Sequence, residues 1–127
     1  MSKPILCLDF DGVIHSYTTK WEAAHIIPDP PVPGAIDFIV RAMVDFRVAI
    51  YSSRSNQLGG LIAMREWMRR NFDREKYMPH EIDAVMKLIE WPTAKPPAFV
   101  TIDDRAITFD GTWPALDTLR NFKPWNK

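Results

Sequence analysis

The sequence predicts an α/β fold: a three-layer, Rossmann-like domain on a mainly parallel sheet. Two patterns and a size limit lead there. Short apolar runs recur at residues 4–8, 47–51 and 98–102, and a run apolar on both faces suits a parallel strand covered by helices on each side. Segments with helical spacing separate these runs, the alternation expected of right-handed crossovers between parallel strands. The 127 residues make a single domain, because two domains would leave neither half enough core.

Taken in order, Ile5-Leu6-Cys7-Leu8 forms the first strand and runs into Asp9. A polar and aromatic stretch follows over about residues 13–33, closing on Pro28, Pro30, Pro31 and Pro33. It lacks periodicity and reads as a long flap. Ile36, Ile39, Val40, Met43 and Val44 have the spacing of a helix over 34–46. Residues 47–51 form the second strand, ending at Ser52-Ser53-Arg54-Ser55. A second helix spans 58–72, with Leu61, Ile62, Met64, Trp67 and Met68 as its buried stripe. Residues 79–90 read as a short helix followed by a short strand. The run 98–102 is a strand ending at Asp103-Asp104, and a last helical turn or two covers 115–122.

Composition narrows the function classes. Sixteen basic residues balance sixteen acidic ones, so the whole chain carries no electrostatic footprint for nucleic acid. Arg65, Arg69, Arg70, Arg74 and Lys76 cluster locally and read as the solvated face of a helix. Cys7, the one cysteine, excludes an intrachain disulfide and reads as small buried packing. No signal-peptide pattern and no apolar stretch of bilayer length stand out, so the expectation is a soluble, cytoplasmic protein.

In parallel sheets, ligands bind at the carboxyl ends of the strands. Three strands here end in polar clusters: Asp9-Phe10-Asp11-Gly12, Ser52-Ser53-Arg54 and Asp103-Asp104. Their convergence brings four carboxylates, two hydroxyls and an arginine into one crevice. Crowded acids raise each other's pKa values unless a cation sits among them. Oxygen ligands alone suit Mg²⁺, which keeps room for water and phosphate oxygens. A carboxylate beside such an ion can attack phosphorus and form an aspartyl-phosphate, while the ion offsets charge on the transferring group. Asp11, two residues on, can protonate the leaving oxygen and then activate water.

These residues resemble the haloacid dehalogenase-like phosphatase superfamily. Its first motif, an apolar strand followed by Asp-x-Asp-Gly, is matched by Leu6-Cys7-Leu8-Asp9-Phe10-Asp11-Gly12-Val13. Its second, a strand ending in Ser or Thr, is matched by Val48-Ala49-Ile50-Tyr51-Ser52, and its fourth, a strand ending in paired acids, by Phe99-Val100-Thr101-Ile102-Asp103-Asp104. For the third, a lysine upstream of the fourth, Lys95 fits and Lys87 is its rival.

By resemblance, Asp9 is the nucleophile and a Mg²⁺ ligand, and Asp11 is the general acid and base that also offers its carbonyl to the metal. Ser52 holds a phosphate oxygen beside the amide of Ser53, and Lys95 neutralises the phosphate and orients Asp9. Asp104 is the direct metal ligand, with Asp103 in support or binding through water. Arg54 contacts either the substrate or a neighbouring acid. Asp at position 11 favours phosphatase over dehalogenase chemistry.

The flap is too short for a folded cap domain, which implies a capless member. An open site has to be closed by a large substrate or by a second subunit in a homo-oligomer. The expected reaction is hydrolysis of a phosphomonoester on a metabolite, a nucleotide or a nucleic-acid end. Two alternatives use the same acids: a two-metal phosphodiesterase or nuclease, and a non-catalytic Mg²⁺ or phosphate-binding module. His15 reads as structural, and most of the five tryptophans as core or lid packing.

Overall fold

The computed structural model describes residues 2–127. Three parallel strands, β1 (Ile5–Leu8), β2 (Arg47–Ile50) and β3 (Val100–Ile102), form one sheet in the order β2-β1-β3. β1 lies central because its residues are apolar on both faces and three of its four are buried. Register aligns the strand ends. Leu8 pairs with Ile50 on one side and Ile102 on the other, so Asp9, Tyr51 and Asp103 leave the sheet side by side.

Helix α1 (Ala35–Ala42) buries Ile36 and Ile39, and α2 (Gly60–Arg74) buries Met64, Trp67, Met68 and Phe72. Helix α3 (Pro79–Leu88) starts with proline in its first turn, where no amide partner is lost, and buries Ile82, Val85 and Met86. The strand expected after α3 shrinks to one residue. Glu90 pairs with β2 through Glu90 N–H to Val48 O and Ile50 N–H to Glu90 O, both 2.9 Å. Wherever the apolar spacing is met by a facing element, the helices follow it. Val44 and Ile62, expected in buried stripes, instead face solvent, at 73% and 66% exposure.

Residues 13–33 contain isolated bridges but neither helix nor strand. The C-terminal part departs furthest from expectation. β3 was expected to be covered on both faces, yet Val100 and Ile102 are exposed, and α4 (Leu116–Arg120) buries none of its residues. Five residues make too short a helix to carry an apolar stripe back across a sheet, so the third layer is incomplete there. Trp113 and Trp125 accordingly lie outside the core, whereas Trp67 is inside it. The molecule is a small α/β domain with a three-stranded parallel sheet. Among the described residues, no helix is long and apolar enough to cross a membrane.

Candidate functional site

Asp9 follows β1 directly, and its own amide still bonds Ile102 O of β3 at 3.0 Å. Its carboxylate Oδ1 accepts the Phe10 amide at 2.8 Å, which fixes the side chain against its own turn. Asp103 and Asp104 follow β3. Asp9, Asp103 and Asp104 each present one carboxylate oxygen within 4.8 Å of the others. Burial, together with the negative charge of Asp103 and Asp104, pushes the Asp9 carboxyl up to about 8, against the stabilising Phe10 amide.

Three hard oxygen donors this close suit a divalent cation such as Mg²⁺. A second feature fits the same ion: Asp104 Oδ1 is buried and has no hydrogen-bond partner among the described residues. Gly12 shapes the cradle. Its φ is +83°, a region that favours glycine, and a Cβ there would overlap the Asp104 carboxylate.

Asp11 does not join that set of acids through its side chain. Its carboxylate turns away and accepts Arg54 Nε at 2.9 and 3.2 Å and His15 Nδ1 at 2.8 Å. Asp29 N–H donates to His15 Nε2 at 3.1 Å, so the ring proton sits on Nδ1 and points at Asp11. The imidazole is wholly buried, stacked on Phe10 at 5.6 Å and met edge-on by Trp67 at 5.6 Å. His15 reads as structural in the sequence, and its buried ring bonds the Asp11 carboxylate together with Arg54. The hint in the sequence was spacing, because His15 stands four residues after Asp11.

Arg54 requires a correction. As a candidate substrate-binding residue it would need an accessible guanidinium, but it is 1% exposed. Besides Asp11, it donates through one nitrogen to the carbonyls of Ala23, Ala24 and Ile26 at 2.9, 2.9 and 3.0 Å. A buried guanidinium needs that many acceptors to offset lost hydration. The neighbouring acid, not the substrate, is its partner, and the flap is tied to the site through it. Gly60 permits this, since a Cβ there would collide with the Arg54 carbonyl.

Two cavities meet at Asp9. One, of about 370 Å³, is lined by Cys7, Tyr51, Lys95, Thr101, Asp103 and Ala106 besides Asp9. The other, of about 170 Å³, is lined by Asp11, Tyr17, Trp21, Ser53, Asp104 and Arg105 besides Asp9. Lys95 thus shares a cavity with Asp9, whereas Lys87 sits exposed in the last turn of α3, lining neither cavity. Ser53 reaches a cavity wall. Ser52 lies buried beneath, its Oγ accepting the Arg54 amide at 3.1 Å, which leaves the hydroxyl proton free to donate. It caps no helix, since the residue at the start of α2 is Gly59. Cys7 is buried, and burial pushes its thiol up, away from thiolate chemistry.

A contact that local sequence reading could not supply comes from the far end of the chain. Trp125 Nε1 donates to Gly12 O at 2.7 Å, across 113 positions. No family model matches the chain, nor does any curated protein or solved structure.

Proposed function

We propose that the chain is a magnesium-dependent phosphohydrolase of the haloacid dehalogenase-like type, without a cap domain, acting on phosphomonoesters through Asp9. One observation carries this reading: the Asp9 carboxylate stands in a single cluster with Asp103 and Asp104, at the carboxyl ends of adjacent parallel strands, in a cavity that Lys95 also lines. Asp9, Asp103 and Asp104 would hold the ion, and when bound it offsets negative charge on the acids and on the transferring phosphoryl group.

In the first half-reaction an Asp9 oxygen attacks phosphorus and the bond to the leaving oxygen breaks. Asp11 gives that oxygen its proton, and an acyl phosphate remains on Asp9. In the second, water attacks the same phosphorus and gives its proton to Asp11. Inorganic phosphate departs and the Asp9 carboxylate is restored. Lys95 balances phosphate charge from one side and Ser53 borders the other, with Ser52 buried behind it. His15 and Arg54 keep Asp11 on its aim while protons move.

The test is turnover of an aryl phosphate with magnesium, together with trapping by beryllium fluoride. Asp9→Asn should abolish turnover and lose the trapped adduct with the fold intact, and Lys95→Ala should cost at least ~10²-fold. Asp9→Asn activity within a few fold of wild type removes the covalent mechanism. Phosphodiester cleavage without an adduct would move the reading to a two-metal nuclease.

A further inference from the structure

We propose that the cavity on the Asp11 side of Asp9 is a stacking site for a nucleobase, so that the phosphate removed is one carried by a nucleoside. This inference rests on the phosphohydrolase reading above and names the substrate class of that same site. Proton exchange between Asp11 and the leaving oxygen requires the leaving group to lie on Asp11's side. The cavity there, lined with Tyr17, Trp21 and Arg105, is therefore where the rest of the substrate sits. The other cavity that Asp9 lines, with Lys95 in its wall, is left to the phosphate side of the substrate.

The aromatic rings on that side are held in place and only partly covered. Trp21 is 40% exposed. The Arg54 guanidinium lies over its ring at 4.4 Å, and that guanidinium is buried and tied to three flap carbonyls. The Thr19–Asp29 clasp closes the loop around Trp21, with Thr19 N–H and Oγ1 donating to the Asp29 carboxylate at 2.7 and 2.6 Å. A large ring held this firmly forgoes burial that would otherwise stabilise the fold. Tyr17 adopts φ +55°, strained for a bulky residue. Its ring meets His15 edge-on at 5.9 Å and carries the Lys127 ammonium at 5.2 Å. Strain of this kind gathers where a side chain has to be presented rather than packed.

A flat heterocycle is what such a site takes, since every base has a π face that stacks on tryptophan or tyrosine. Arg105, in no ion pair among the described residues, adds a cation for further phosphates. Phosphotyrosine also offers an aromatic ring, but its phenol leaves readily. An acid as carefully aimed as Asp11 suits the poorer alkoxide leaving group of a sugar hydroxyl.

The experiment measures equilibrium binding to the non-hydrolysing Asp9→Asn protein in magnesium. The ligands are nucleoside 5′- and 3′-monophosphates, ribose 5-phosphate, a phosphotyrosine peptide and 3′- or 5′-phosphorylated oligonucleotides. At least one nucleoside monophosphate should bind about tenfold or more tightly than ribose 5-phosphate. Trp21→Leu, which still covers Arg54, should bring that ratio near one without weakening ribose 5-phosphate, and Trp21→Phe should restore part of it.

Equal binding of nucleotide and ribose phosphate overturns the proposal, as does tighter binding of phosphotyrosine. An equal fall for both ligands in Trp21→Leu also overturns it, making Trp21 a structural cover. Mononucleotide and oligonucleotide both support the shared chemistry, and their order tells a free nucleotide from a strand end. Turnover by the wild-type protein is scored separately. Absence of any phosphatase activity removes the phosphohydrolase reading, while the binding ratio judges the stacking site by itself.

Discussion

Asp9 concentrates the electrostatics of the site in one side chain. Its carboxyl is pushed from an ordinary 3.8 up to about 8 by burial and by Asp103 and Asp104. Between about pH 4 and pH 8, therefore, the folded metal-free chain keeps a proton that the unfolded chain has released. Folding stability from this group falls as pH rises through that window and is lowest above it. Magnesium, binding the charged form, should reverse the loss. Thermal unfolding across pH should show the metal-free wild type losing stability relative to Asp9→Asn as pH rises, with magnesium restoring it in the wild type only. Parallel curves for the two proteins would show that the three acids do not crowd. Asp11 contrasts with Asp9: its carboxylate is bonded to Arg54 and His15 and stands outside the cluster of Asp9, Asp103 and Asp104.

At the scale of elements, the segment joining β2 to α2 does the structural work of the site. The turn after Ser52 returns Ser55 Oγ to the Ser52 amide at 2.9 Å, and α2 then packs its first residue, Gly60, against the Arg54 carbonyl. Helix propensity alone favours alanine at position 60 by about 1 kcal/mol. The collision with backbone, which cannot rotate aside as a side chain can, should outweigh it. Gly60→Ala is expected to destabilise by ~1–3 kcal/mol in urea unfolding and to loosen the flap, because Arg54 shifts with it. A stabilised variant would show that this contact is not tight. Trp67 serves two elements at once, buried in the core while its Nε1 donates to Asp29 O of the flap at 3.1 Å. The flap is thus a loop by backbone geometry but is pinned by α2 and by the turn that precedes it.

Across the whole molecule, packing is uneven. The core gathers β1, β2 and helices α1 to α3 around Phe10, Ile36, Met64 and Phe72. Beyond β3, Ile107, Phe109, Trp113, Leu116 and Phe122 all remain exposed. Yet the chain returns to the site at its end: Asn126 Nδ2 donates to Ser16 O at 2.8 Å and Lys127 Nζ to Tyr17 O at 3.2 Å, beside the Trp125–Gly12 bond. Trp125→Phe keeps a ring and removes that bond. With a single hydrogen bond worth about 0.5–1.5 kcal/mol, the unfolding temperature should fall by a few degrees, and kcat/KM, measured where the variant is still folded, should fall with it. An unchanged kcat/KM would mean that the C-terminal tail does not support the Asp9–Gly12 turn.

The sequence by itself determined the three strands of the sheet, the placement of the helices and the strand ends that carry acid. Continuous apolar runs and helical stripes are local signals, and parallel pairing places the residues following Leu8 and Ile102 together whatever the loops do. It also singled out Asp9, Asp11, Asp103 and Asp104, because they gather where apolar runs end; the structure clusters three of them and turns the Asp11 side chain toward Arg54 and His15. Only the tertiary structure decided that Arg54 is buried under the flap, that His15 holds Asp11, that Glu90 adds a single bridge in place of a strand, and that β3 lacks a cover. Those outcomes depend on which groups meet from distant positions. A guanidinium looks the same in sequence whether it faces water or three carbonyls, and an apolar strand looks buried until the helix meant to cover it proves too short.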